Sequence, residues 1–160
     1  ILSGNKKYSF NSDLPYYFDY EEFIFYFNRA EYFYKNKFII KSKEYYLQAK
    51  NIYKKTNSNF VPLYDWESEK MNYSQDIFLK ILLKLSETEN DIHQKILFLE
   101  DYIKINRYSD YANKNYIKIL YDTGNQRKSF DYFNLTNKIY NEELGTYFTE
   151  DTFSDFIKKL

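Results

Sequence analysis

From Asp19 onward, apolar residues recur at three- and four-residue steps, the period of a helix with one buried face. Phe23, Tyr26, Phe27, Ala30, Phe33 and Tyr34 form the first such stripe, with Asp19, Glu21 and Glu22 in its first turn, where the helix dipole favours acid. A second helix is predicted over residues 38–54, with Tyr45, Tyr46, Ala49, Ile52 and Tyr53 as its apolar face. Thr56-Asn57-Ser58-Asn59 reads as a loop, and Pro62 keeps the chain out of a helix until about Asp65. A long third helix over 66–87 carries Met71, Ile77, Phe78, Ile81, Leu82 and Leu85. Further helices are predicted over 91–105, from a cap at Ser109 or Asp110 to near Gly124, over 126–144, and, after Gly145, over 150–160. Ahead of them, residues 5–11 read as a strand or extended lead-in, broken by Asp13, Leu14 and Pro15. About seven helices joined by short turns predict antiparallel hairpins.

The turns also carry a period. Asn90 and Gly124, each between the two helices of a pair, lie 34 residues apart, the tetratricopeptide repeat length. Lys37, the matching turn of the first pair, precedes Asn90 by 53 residues, with the loop around 56–64 and an extended helix accounting for the excess. Aligned on these anchors, Tyr26, Ala30 and Phe33 take large, small and large positions of a first helix, and Ser42, Tyr46 and Ala49 take small, large and small positions of a second. Small residues are required where paired helices approach most closely. The last pair offers Tyr116 and Leu120, then Ser129, Phe133 and Thr136; Ile117 stands where Gly or Ala is usual, which predicts a wider crossing. The middle pair has Leu79, Leu82, Leu83 and Leu99, but Lys95 at a small-residue position. The expected fold is therefore all-α, a tetratricopeptide-like right-handed superhelix of antiparallel helix pairs. A generic helical bundle with coincidental spacing is the alternative.

Composition agrees and narrows the function. Only 3 Gly and 2 Pro occur, too few for the turns of an all-β fold. The 20 Tyr and 15 Phe read mainly as core residues standing where Leu would serve, in a chain whose Lys, Asn and Ile content points to an AT-rich genome. Lys and Arg number 23, as do Asp and Glu, so the segment lacks the basic excess of a free-standing nucleic-acid binder. Absence of Cys excludes a disulfide scaffold and any Cys-based metal site, and fits a cytoplasmic location. No apolar run approaches membrane-spanning length and no signal peptide is visible, so no membrane partner is expected.

Several short motifs, in order, resemble the bacterial transcriptional activator domain, the helical-repeat module that follows a winged-helix DNA-binding domain in some antibiotic regulatory proteins and response regulators. Tyr121-Asp122-Thr123-Gly124-Asn125 is similar to the family's inter-helix turn. Glu142-Glu143-Leu144-Gly145, followed by Phe148-Thr149-Glu150-Asp151-Thr152, resembles its helix end and the start of its last helix, without the usual Pro near Phe148. Gly4-Asn5-Lys6-Lys7-Tyr8-Ser9-Phe10 resembles the strand that leaves the winged helix, and Phe18-Asp19-Tyr20-Glu21-Glu22-Phe23 the start of the first helix. Asp65-Trp66 with Glu69 is similar to the family's third-helix start, and Leu99 through Asn106 resembles the helix before the last repeat, with Arg107 where a Pro usually follows. The resemblance implies that residues 1–15 end an upstream winged-helix domain and that 16–160 form the repeat domain. The chain, which begins at Ile1 rather than Met, is then expected to be part of something longer.

Candidate chemistry is sparse. His93 is the lone histidine, with no second His or Cys to share a metal. Glu21-Glu22 and Glu142-Glu143 are adjacent carboxylates, which on a helix do not face one substrate. No catalytic residue, metal site or cofactor is expected. In a tetratricopeptide array the first helix of each pair lines the inner groove, which places Lys80 and Lys84, then Lys114 and Lys118, there as i, i+4 ridges, with Tyr111 and Tyr121 beside the second pair. These six residues are the candidate site for an acidic or C-terminal peptide; an ordinary solvated helix face, diluted by Glu87 and Asp122, is the competing reading. The expected function is a regulatory or interaction domain of a bacterial transcription regulator, acting through self-association as a regulator dimer, through RNA polymerase or in response to an effector, with DNA bound upstream. The alternative is a stand-alone adaptor or peptide-sensing receptor.

Overall fold

The computed structural model describes residues 2–4, 7–9, 19–57 and 65–148. A short antiparallel strand pair, β1 (Leu2–Gly4) and β2 (Lys7–Ser9), sets Ser3 opposite Tyr8. Among the described residues six α-helices follow: α1 (Asp19–Lys35), α2 (Ile39–Asn57), α3 (Asp65–Thr88), α4 (Ile92–Ile105), α5 (Asp110–Asp122) and α6 (Gln126–Ile139). Beyond the strand pair the fold is all-α, and the helices fall within a few residues of their expected limits. The expected helix over 150–160 lies outside the described residues, as does the break at Asp13, Leu14 and Pro15.

Local chemistry explains the ends. Asp91 caps α4, its carboxylate accepting from the His93 amide at 2.8 Å and the Gln94 amide at 3.3 Å. Ser109 caps α5 through the Ala112 amide. After α1, Lys37 adopts a left-handed conformation (φ 66°); its N–H donates to the Tyr34 carbonyl and that of Phe38 to the Phe33 carbonyl. Gly124 (φ 80°) repeats this turn after α5, donating to Tyr121, while Asn125 donates to Leu120. Two of the three repeat anchors are thus the same stop signal. Asn90 is not: there Glu89 bends back to accept from the Asn90 and Asp91 amides at 2.8 and 3.1 Å, and its other oxygen meets Lys43 of α2 at 2.7 Å. Burial alone would raise the Glu89 pKa, but Lys43 and the two amides outweigh it and hold the carboxyl below its usual range.

One helix differs from expectation. The α-helical run that begins at Gln126 ends at Ile139 rather than Leu144, and Tyr140–Leu144 form a wider π turn closed by Gly145 at φ 65°. Tyr140 in that turn is buried against Phe148, and its hydroxyl donates to Asp110 at 2.8 Å.

Contacts between elements run along the sequence, α1 on α2, α2 on α3, and so on to the π turn, as in a stack of hairpins. The pairs meet where small residues were expected: Ala30, Ser42, Ala49 and Ser129 are fully buried. Ser129 reaches across α5–α6 to donate to the Ile117 carbonyl at 2.9 Å, so the wider crossing expected from Ile117 is not found at that point.

The abundant tyrosines do more than replace leucine. Many bury the ring between helices and donate the hydroxyl to an acid or amide on the neighbour: Tyr46 to Glu31, Tyr116 to Glu100 (2.9 Å), Tyr132 to Asn113 (2.7 Å). Desolvation first, then the partner carboxylate, raises the hydroxyl pKa of Tyr46, Tyr116 and Tyr140. A hydroxyl whose pKa rises on folding contributes stability that is fully present below the unfolded value of about 10 and is lost as pH climbs through the folded value. The urea midpoint should therefore hold steady up to about pH 9 and decline beyond about pH 10. Tyr116→Phe should flatten that decline; an identical alkaline profile for the variant would refute the assignment.

Candidate functional site

Across the stack the first helices of successive pairs are joined side chain to side chain. Lys84 of α3 lies over the Tyr34 ring of α1, 4.4 Å from its centroid, and within 3.4 Å of its hydroxyl. The same ammonium donates to Glu87 at 3.0 Å, one turn on, and the other Glu87 oxygen accepts from the Tyr111 hydroxyl of α5 at 3.0 Å. Tyr34, Lys84, Glu87 and Tyr111 thus make one polar chain across α1, α3 and α5. Desolvation opposes the Lys84 charge, but Glu87 and Tyr34 prevail and raise its pKa; burial and then Glu87 raise that of Tyr111.

Beside this chain, α3, α4 and α5 enclose a cleft of about 190 Å³ lined by Ser86, Glu87, Lys95, Leu99, Tyr111, Asn115, Lys118, Ile119 and Asp122. Its charges balance, Lys95 and Lys118 against Glu87 and Asp122. Neither lysine forms an ion pair among the described residues. The volume falls below that of pockets that enclose a small-molecule ligand, and suits one or two side chains of a bound segment.

The six sequence-derived candidates are therefore only partly brought together. Lys118 and Tyr111 line the cleft, and Lys84 stands at its edge with its charge committed to Glu87. Lys114, one turn before Lys118, lies 6.0 Å from the centroid of the Phe148 ring. Lys80 is exposed, and neither it nor the half-buried Tyr121 lines the cleft. Glu87 and Lys95 were not among the candidates. In the sequence Glu87 is a charge that dilutes the lysines and Lys95 a packing misfit, and that charged residue at a small-residue position is the signal that α4 opens there.

Elsewhere His93 is exposed at the start of α4. Glu143 pairs with Arg107 at 2.6 Å and accepts from Tyr108, while Glu142 faces Lys138 at 3.9 Å, so these adjacent carboxylates serve different partners. Among the described residues no group of three or more His, Cys, Asp or Glu is placed to hold a metal ion, and no helix is long and apolar enough to cross a membrane. The class of protein these features define is an all-α stack of helix pairs with a charged interhelical cleft. No family model, curated protein or solved structure matches the chain.

Proposed function

We propose that the chain is a helical-repeat interaction domain that serves as the regulatory module of a bacterial transcription regulator. The observation that carries the interaction role is the side-by-side linkage of α1, α3 and α5 through Tyr34, Lys84, Glu87 and Tyr111, which gives a partner one continuous face with Lys95 and Lys118 uncommitted at its cleft. The regulatory role rests on the ordered resemblance to the bacterial transcriptional activator domain, which would place DNA binding in an upstream winged helix and leave this cytoplasmic segment to contact RNA polymerase or a second regulator subunit. The two free lysines beside Tyr111 also favour a second reading, an adaptor or peptide-sensing receptor for an acidic peptide.

Purified chain should be titrated against bacterial RNA polymerase, against itself by sedimentation, and against a labelled Asp/Glu-rich peptide and duplex DNA. The regulatory reading expects binding to polymerase or self-association, weakened about tenfold by Lys118→Glu with Lys95→Glu, a change of about 1.4 kcal/mol. Binding of the acidic peptide alone, lost in the same variant, selects the adaptor. Tight binding of duplex DNA by this segment, or indifference of every partner to the double variant, overturns the cleft assignment.

A further inference from the structure

The turn between α1 and α2 presents three consecutive apolar residues to solvent: Phe38 is 60% exposed, Ile39 38% and Ile40 80%. Together with Lys37, Lys41 and Glu44 they line an open concavity of about 560 Å³. Runs of this kind are rare on a solvated surface without a use. Successive residues at a helix start diverge by about 100°, so these three side chains fan over about half the circumference. A packed partner helix engages residues three and four apart on one face; a fan at the tip of a hairpin suits entry, end on, into an apolar phase.

The charge around the tip is mainly positive. Lys35, Lys37 and Lys41 are exposed and form no ion pair among the described residues, whereas Lys43 is committed to Glu89. Glu44, a turn further along α2, is the acid that lines the concavity. The Lys41 ammonium lies over the Phe33 ring, 4.5 Å from its centroid, which sets a cation directly beside the apolar patch. The first turn of α2 holds no acidic residue to offset its positive dipole end. Lys37 itself occupies a left-handed backbone position where Gly124 serves in the equivalent turn, so the tip carries a cation at a position where glycine would be less strained.

We infer that the α1–α2 turn is a peripheral membrane-docking tip, in which Phe38, Ile39 and Ile40 enter the interface of an anionic bilayer while Lys35, Lys37 and Lys41 meet its phosphate and carboxylate headgroups. Aliphatic Ile39 and Ile40 favour a lipid interior over nucleic acid, whose bases would call for stacking aromatics. The tip is separate from the α3–α5 cleft, so the two assignments stand or fall independently.

The test is co-sedimentation of the chain with vesicles of equal parts phosphatidylglycerol and phosphatidylcholine, and of phosphatidylcholine alone. Binding is expected to the anionic vesicles, weakened by added salt and reduced about tenfold or more by Ile40→Asp or Lys41→Glu. Lys37→Gly relieves the positive φ, so it should raise thermal stability and still weaken vesicle binding, which separates a lost contact from a lost fold. Equal binding to both vesicle types, or Ile40→Asp binding as the parent does, overturns the inference. So does a concentration-dependent dimer that Ile40→Asp dissolves in a chain indifferent to vesicles, which makes the patch an interface between copies, and so does binding of single-stranded nucleic acid in place of vesicles.

Discussion

Tyr46→Ala should destabilise the folded chain by about 4 kcal/mol, the cost of truncating a large aromatic in a core that does not collapse around the gap. Tyr46 has no exposed surface, and neither do Ser42 and Ala49, one turn away on either side of the same α2 face. Those small neighbours bring α1 and α2 close, and the backbones already in contact leave little room to close over the lost ring. The hydroxyl also donates to Glu31 of α1, so truncation leaves that carboxylate to find water. Total stability for a domain is about 5–15 kcal/mol, so the loss is a large share of it. The urea midpoint should fall with its slope unchanged. Tyr46→Phe keeps the ring and should lose only about 1 kcal/mol for the hydrogen bond. A Tyr46→Ala loss below about 1 kcal/mol would mean that this crossing is looser than the burial of Ser42, Tyr46 and Ala49 indicates.

Such positions were legible in the sequence because they follow from period and size alone. The small–large–small order of Ser42, Tyr46 and Ala49 and the turn at Lys37 needed only a helical register and a repeat length. The site was less legible, because it depends on where side chains from different helices end. Lys84 reads as a free cation in the sequence, yet its ammonium is held between Glu87 and Tyr34, fifty residues earlier. The hydroxyl partners of Tyr46, Tyr116 and Tyr140 were likewise invisible to a pattern that scores tyrosine as apolar. At Asn90 the anchor spacing held although the device differs, since Glu89 and Lys43 supply by side chain what a left-handed residue supplies elsewhere. The apolar fan at Phe38, Ile39 and Ile40 is not legible in the sequence, because a helix start tolerates any residue type and only the fold shows that these three stay exposed.

Phe148→Ala should act differently from Tyr46→Ala, loosening one end of the stack. Phe148 is fully buried and packs on Phe133 and Tyr140; its amide donates to Asn137 of α6 at 3.1 Å. With Ile117 these rings form a cluster distinct from the larger core that joins α1 to α4 and extends to Ala112 at the start of α5. Since each helix packs mainly on its sequence neighbours, stability should divide along the stack as it does in repeat arrays. Loss of the ring, worth about 3–5 kcal/mol locally, should speed amide exchange in α5, α6 and the π turn well before it reaches α1 and α2. Because α5 carries Lys118 and Tyr111, the same variant should weaken any partner held at the cleft while leaving the α1–α2 tip competent to bind vesicles. Uniform acceleration of exchange through all six helices would show a single cooperative unit, and with it a core in which Phe148 is coupled to Tyr46 across the whole length of the stack.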